Sequence, residues 1–144
     1  MIELLPGLYR IETALGDNLL ALYLIRGERT LLIDSGVRDT PDTVIFPALA
    51  QAGLPPQIDM LLISHADADH CNAIPELIEV LPTGTLLVHR TFLDWSQRPV
   101  VAALHKATVA GMSIRLIAAG QSLSLDSSVS MRVLHPAPDF HATE

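Results

Sequence analysis

The sequence is poor in cysteine, in charged side chains and in long hydrophobic runs. Its single cysteine, Cys71, excludes a disulfide within the chain and favours a reducing compartment, so we predict a cytoplasmic location. The longest apolar-rich run, residues 19–25, is far shorter than the roughly 20 residues that a membrane-spanning helix needs. The N-terminus carries Glu3 and Pro6 where a signal peptide would have a basic start and an apolar core, so we expect no secretion signal and no membrane partner.

The charge balance is acidic, with 9 Lys and Arg residues against 16 Asp and Glu residues and a formal net charge of -7. Such a chain has no general field to attract a phosphate backbone, which disfavours a nucleic-acid partner. Hydrophobic residues make up 49% of the sequence, too many for a disordered chain. At 144 residues we predict one folded domain over residues 1–144.

Strand patterns dominate the first third of the chain. Segments typical of strands begin at Gly7, Asn18 and Arg29 and are separated by turn residues, which predicts an antiparallel meander. A helix is predicted over residues 40–52, with Thr40 as its N-cap and a kink at Pro47.

The remaining segments alternate between strands and helices. The run IDMLLIS from Ile58 predicts a strand buried on both faces, and residues 73–81 have the apolar spacing of a helix. A strand at residues 85–89 and helical pieces over 92–110 follow, and three short segments near the C-terminus predict a second meander. This alternation predicts an α/β sandwich with helices outside the sheets.

A dense polar cluster, HADADH at residues 65–70, lies between the buried strand and the next helix. Nitrogen donors from His65 and His70 and oxygen donors from Asp67 and Asp69 suit zinc, manganese or iron rather than calcium. The two aspartates would repel one another in a partly buried pocket unless a cation compensated them. The alternative interpretation is a polar loop whose aspartates cap the helix and whose histidines lie on the surface.

This cluster resembles the signature His-x-His-x-Asp-His of the metallo-β-lactamase-fold superfamily, matching it at His65, Asp69 and His70. The segment LLIDSG at residues 31–36 is similar to the family strand that ends in an aspartate behind the metal site. The resemblance implies a metallo-β-lactamase-like αββα sandwich in which Asp34 orients a metal ligand.

The departure from the family signature is Asp67, where the common pattern has histidine. A carboxylate here resembles two variant branches, the hydrolase domains of DNA-uptake channels and the flavodiiron-type domains. An oxygen donor makes the site harder and shifts its preference toward iron or manganese. Zinc remains the first expectation for the divalent metal, with iron or manganese as alternatives.

The family also implies a third histidine downstream of the cluster. His141 is our first candidate, because HPAPDFHATE is similar to the stretch that carries this ligand in flavodiiron-like proteins, and His135 is the alternative. We expect His89 and His105 to be ordinary core or surface histidines. Cys71 could supply a thiolate, but a small buried residue is the favoured interpretation.

The family's metal-bridging aspartate and last histidine would follow the third histidine, whereas the sequence given ends at Glu144. We therefore consider a fragment, a naturally short domain incomplete at its C-terminal end, or a site completed by a second chain. An incomplete sandwich would expose an apolar sheet face, which predicts a homodimer or a swapped dimer.

The resemblance implies a metal-dependent hydrolase that acts on a small-molecule ester, thioester, lactone, β-lactam or phosphodiester. One metal would lie at His65, Asp67 and His141 and activate a water molecule. Asp69 and His70 would hold a second metal, or Asp69 would act as the catalytic base. The alternatives are a di-iron oxidoreductase or oxygen-sensing domain, and a truncated, inactive metal-binding module.

Overall fold

The computed structural model describes residues 1–80, 84–94 and 98–135, so that His141 lies outside the described residues. A seven-stranded sheet contains β1 (Ile2–Leu5), β2 (Leu8–Leu15), β3 (Asn18–Arg26), β4 (Thr30–Ile33), β5 (Met60–Ile63), β6 (Thr85–Val88) and β7 (Ser113–Leu116). A two-stranded sheet contains β8 (Ser122–Ser124) and β9 (Ser130–Arg132). The helices are α1 (Phe46–Gln51), α2 (Ala68–Cys71), α3 (Ile74–Val80), α4 (Thr91–Asp94) and α5 (Arg98–Val109).

The strands of the large sheet lie side by side in chain order from β1 to β7. Their pairing changes from antiparallel to parallel at β4. Strands β1 to β4 pair antiparallel, which confirms the predicted meander and adds β1 to it. Strands β4 to β7 pair parallel, because helical crossovers return the chain to the same end of the sheet between them.

The predicted second meander is wrong in its first strand. β7 pairs parallel with β6 in the large sheet, and only β8 and β9 pair antiparallel with one another. The long helix α5 between β6 and β7 has the length that a parallel crossover requires. Short apolar strands look alike in sequence, so the pairing partner of β7 is decided by this connection rather than by its own residues.

The two faces of the large sheet bury separate hydrophobic clusters. Leu22, Leu61 and Leu77 belong to the cluster on the face that the helices cover. Leu62 and Leu87 point to the other face and pack with Leu123 and Val133 from the region of the small sheet. The molecule is therefore an α/β layered structure with helices outside a large sheet and a second, smaller sheet on its opposite face, as the sequence predicts.

The helix predicted over residues 40–52 is divided in two. Residues Pro41–Ile45 form a π-helical turn, in which the Phe46 N–H donates to the carbonyl of Pro41, and α1 follows. Pro47 has no N–H to donate to the preceding turn, which accounts for the predicted irregularity. Thr40 occupies the predicted N-cap position, but its side chain makes no capping hydrogen bond. No helix in the described ranges is long and apolar enough to cross a membrane.

The sheet face away from the helices is incompletely covered over β1 to β3. Leu20, Leu22 and Leu24 of β3 are buried on the helix side, so the alternating Leu19 points to the other side, where it is 64% exposed. Leu5 of β1 is similarly exposed on that face. We call this region the open sheet face.

Candidate metal centre

The candidate centre forms where the carboxyl ends of β4 and β5 meet. These neighbouring strands are parallel, so the residues that follow them, Asp34 and Ser64, lie at the same edge of the sheet. The Asp34 N–H donates to the carbonyl of Leu62 at 2.8 Å and fixes the two strand ends against each other. Asp34 has a φ of 66°, a left-handed conformation that turns the chain sharply after β4.

The Asp34 carboxylate is the hydrogen-bond hub of the centre, and the residue is 5% exposed. Its Oδ1 accepts from the Ser64 N–H at 2.8 Å. Its Oδ2 accepts from the Ser64 hydroxyl at 2.8 Å and lies at the same distance, 2.8 Å, from His70 Nδ1. The structure thus places Asp34 directly against a histidine of the cluster, while its role toward a metal remains a prediction.

The four side chains of the cluster form two histidine–carboxylate pairs. His65 Nε2 lies 3.5 Å from Asp67 Oδ2, and His70 Nε2 lies 3.5 Å from Asp69 Oδ2. The two imidazole rings are neighbours, with centroids 3.8 Å apart. In each pair the nitrogen beside the carboxylate is Nε2, while Nδ1 faces Ser64 or Asp34.

The local backbone differs from the predicted loop, because Asp69 and His70 belong to the short helix α2. Asp67 occupies the position before α2 in extended conformation, but its side chain makes no capping hydrogen bond. The alternative interpretation, in which the aspartates serve as helix caps, therefore lacks the bond that it requires at Asp67.

Across the described part of the chain, no three His, Cys, Asp or Glu side chains form a group that could hold one metal ion. The cluster offers its donors as pairs instead. Of the other histidines, His105 is exposed on α5, and His89 is buried with its Nδ1 3.0 Å from the Thr91 hydroxyl. His135 is exposed and lies beside the cavity described next.

A cavity of about 310 Å³ opens beside the cluster, at the carboxyl ends of β5 and β6. Its wall is mainly apolar and reaches the centre through Ser64. The lining residues are Leu62, Ile63, Ser64, His89, Ile117, Met131, Arg132, Val133, Leu134 and His135. The volume is at the lower end of the range of small-molecule sites.

Cys71 is 1% exposed, and its Sγ donates to the carbonyl of Ala66 at 3.4 Å. Burial, together with the nearby carboxylates of Asp34, Asp67 and Asp69, raises the pKa of this thiol to about 11. A thiol with such a pKa is protonated at neutral pH. The interpretation of Cys71 as a small buried residue is therefore favoured over that of a thiolate donor.

Ser64 was missed by sequence reasoning, although it contacts both Asp34 and His65. A single serine before the cluster has no pattern of its own. Its position directly after the predicted buried strand, beside the first histidine, is the signal that could have found it.

Comparison with known proteins gives both a family and relatives. The family model for the metallo-beta-lactamase superfamily matches residues 20–126. A putative diflavin flavoprotein A 2 from Synechocystis sp. is 27% identical over 119 residues, which cover 83% of this chain and 19% of that protein. The chain thus spans less than a fifth of the length of this curated relative.

Two solved structures illustrate the likeness in fold. Rubredoxin oxygen:oxidoreductase from the anaerobe Desulfovibrio gigas superposes with a TM-score of 0.63 at 18% identity, over 86% of this chain and 32% of that one. A metallo-beta-lactamase family protein from Thermus thermophilus gives a TM-score of 0.65 at 20% identity, over 92% of this chain and 52% of that one. At these identities the similarity is one of fold.

Proposed function

The chain belongs to the metallo-beta-lactamase superfamily, and from this premise we propose that it is a metal-dependent hydrolase acting on a small-molecule substrate. The observation that supports the proposal is the pairing of two histidines with two carboxylates at the end of β5, held from behind by Asp34. The apolar cavity beside these pairs supports a small organic substrate.

The donor set fits a transition metal. Imidazole nitrogens and carboxylate oxygens are ligands of zinc, iron and manganese, and the two carboxylates would compensate the charge of a divalent ion. We assign His65 and Asp67, together with His141, to one metal, and Asp69 and His70 to a second. When bound, a divalent metal supplies Lewis-acid chemistry, lowering the pKa of a coordinated water toward neutrality and polarising a carbonyl or phosphoryl oxygen.

The protein's own residues would supply the proton transfer and the substrate orientation. If only one metal binds, the partly exposed Asp69 would instead accept a proton from the attacking water with its carboxylate. Leu62, Ile117 and Val133 in the cavity wall would hold the apolar part of the substrate beside the two pairs. The substrate class that we propose is an ester, thioester, lactone or phosphodiester.

A second candidate function is a di-iron oxidoreductase or oxygen-sensing domain. Asp67 supports it, because a carboxylate in place of a histidine favours iron. The similarity to a putative diflavin flavoprotein and to rubredoxin oxygen:oxidoreductase supports it as well. Both candidates need the same residues as ligands, so the identity of the native metal separates them.

The test is elemental analysis of protein purified without added metal, together with hydrolysis assays on a panel of ester, thioester, lactone and phosphodiester substrates. The variants are His65→Ala, Asp67→Ala and His141→Ala, with His135→Ala to decide between the two candidates for the third histidine. His105→Ala is the matched control, because His105 is an exposed histidine on α5, outside the cluster.

We expect near-stoichiometric zinc or manganese in the wild type and in His105→Ala, its loss in the cluster variants, and hydrolysis of at least one substrate class. Iron with visible absorbance that dioxygen changes would support the oxidoreductase instead. Metal without hydrolysis of any panel member would support an inactive metal-binding module. Wild-type protein that contains no metal, and whose stability the cluster substitutions leave unchanged, would refute all three.

A further inference from the structure

Ser64 connects the buried carboxylate of Asp34 to the first histidine of the cluster. Its hydroxyl oxygen lies 2.8 Å from Asp34 Oδ2 and also 2.8 Å from His65 Nδ1. Its backbone N–H donates to the other oxygen of the same carboxylate. Ser64 is thereby held from two sides by Asp34 while it contacts His65.

The direction of these hydrogen bonds follows from counting protons. A hydroxyl has one proton to donate, and a carboxylate has only acceptor atoms. The Ser64 proton therefore goes to Asp34 Oδ2, because the opposite orientation would bring two oxygen lone pairs together at 2.8 Å. The Ser64 oxygen then accepts from His65, so the proton of that neutral imidazole lies on Nδ1.

The same carboxylate oxygen acts on the second histidine directly. His70 Nδ1 lies 2.8 Å from Asp34 Oδ2 and donates to it, which also fixes its proton on Nδ1. In both rings the unprotonated nitrogen is then Nε2, the atom that lies 3.5 Å from Asp67 or Asp69. Asp34 Oδ2 thus leaves Nε2 unprotonated in both histidines, directly in His70 and through Ser64 in His65.

We propose that Ser64 is a positioning residue that holds His65 in the Nδ1–H form and so prepares its Nε2 to bind a divalent metal. The metal-binding part of this inference rests on the proposed function. The position of the His65 proton is predicted for the metal-free protein. Hydrogen-bond partners of metal-binding histidines commonly have this effect, and their loss weakens metal affinity by roughly 10–100-fold.

The first test is nitrogen-15 NMR of histidine-labelled, metal-free protein, recorded at increasing pH until the His65 and His70 signals are those of neutral imidazoles. His65→Gln and His70→Gln variants assign the resonances. We expect the Nδ1–H pattern at both positions in the wild type. In Ser64→Ala, His65 should move toward the Nε2–H form that free histidine prefers, while His70 keeps its pattern.

The second test is zinc titration of the same proteins. Ser64→Ala should bind zinc roughly 10–100-fold more weakly, and Ser64→Thr, which retains the hydroxyl, should restore both the affinity and the proton position. Ser64 is exposed, so the alanine variant should fold, and circular dichroism checks this.

The two tests separate this inference from the proposed function. If His65 keeps its Nδ1 proton in Ser64→Ala, or if Ser64→Thr behaves like the alanine variant, the positioning role is overturned. If the wild type binds none of zinc, manganese and iron but the proton moves as expected, the proposed function fails while the role of Ser64 in setting the histidine is supported.

Discussion

Replacement of Asp34 by asparagine changes one carboxylate oxygen into an amide nitrogen at the hub of the centre. Oδ1 can still accept from the Ser64 N–H, but two donors, the Ser64 hydroxyl and His70 Nδ1, would now face an NH₂ group. A hydrogen bond to a charged group contributes about 1.5–3 kcal/mol, and a buried donor without a partner is costly. Because the exposed Ser64 hydroxyl can rotate and reach water, and the His70 proton can move to Nε2, the loss is that of one charged hydrogen bond, about 1.5–3 kcal/mol.

The substitution isolates the hydrogen bonds from backbone strain. Asparagine tolerates left-handed conformations, so the φ of 66° at this position adds little cost. The assay is urea unfolding of metal-free protein, with Asp17→Asn as the control, because Asp17 is exposed in the turn between β2 and β3. A free energy of unfolding within about 0.5 kcal/mol of the wild type would refute the role of Asp34 as a hub.

Three further predictions concern other parts of the molecule. Because burial raises the pKa of Cys71 to about 11, iodoacetamide at neutral pH should label it only after unfolding in urea; rapid labelling of the native protein would contradict this. Hydrogen bonds from the Ser128 N–H and hydroxyl lower the pKa of Asp126 in the folded protein. The Asp126 carboxylate therefore stabilises the fold above the pKa that it has in the unfolded chain. This stabilisation is lost as the pH falls through the lower pKa of the folded protein. An NMR titration should therefore show a higher Asp126 pKa in Ser128→Ala, and an unchanged value would argue against the cause. The homodimer stays a prediction, in which a second copy packs on the open sheet face. Light scattering at micromolar concentration should give the mass of two chains for the wild type and of one chain for Leu19→Lys. A monomeric wild type would refute the prediction.

The parts of the fold that the sequence predicted are those with strong local patterns. The position of the candidate centre was predictable from the fully apolar β5 and the polar cluster that follows it in the sequence. Its second strand was predictable from the apolar segment that leads to Asp34. The pairing of β7 could not be predicted from its own four residues, because it depends on where α5 returns the chain. No sequence pattern marks Ser64, because its importance depends on its contact with Asp34, which lies 30 residues earlier in the chain.

An irregularity near Pro47 was predictable because proline lacks an N–H, whereas its form, a π-helical turn before α1, was not. The short helix α2 was missed because it contains only four residues, too few for a recognisable apolar face. His141 remains a predicted ligand outside the described residues.

The parallel register of β4 on β5 has a consequence for how this molecule could be altered by evolution or by engineering. Ile33 pairs with Leu62, so Asp34 lies level with Ile63, one residue before Ser64, and its carboxylate can accept from the Ser64 N–H. A residue inserted within either strand would turn its side chains to the opposite face and separate the hub from the cluster. Insertions at the exposed residues 55–57, between the buried Leu54 and Ile58, would leave the alignment intact, so length variation should be accepted there and rejected in the strands.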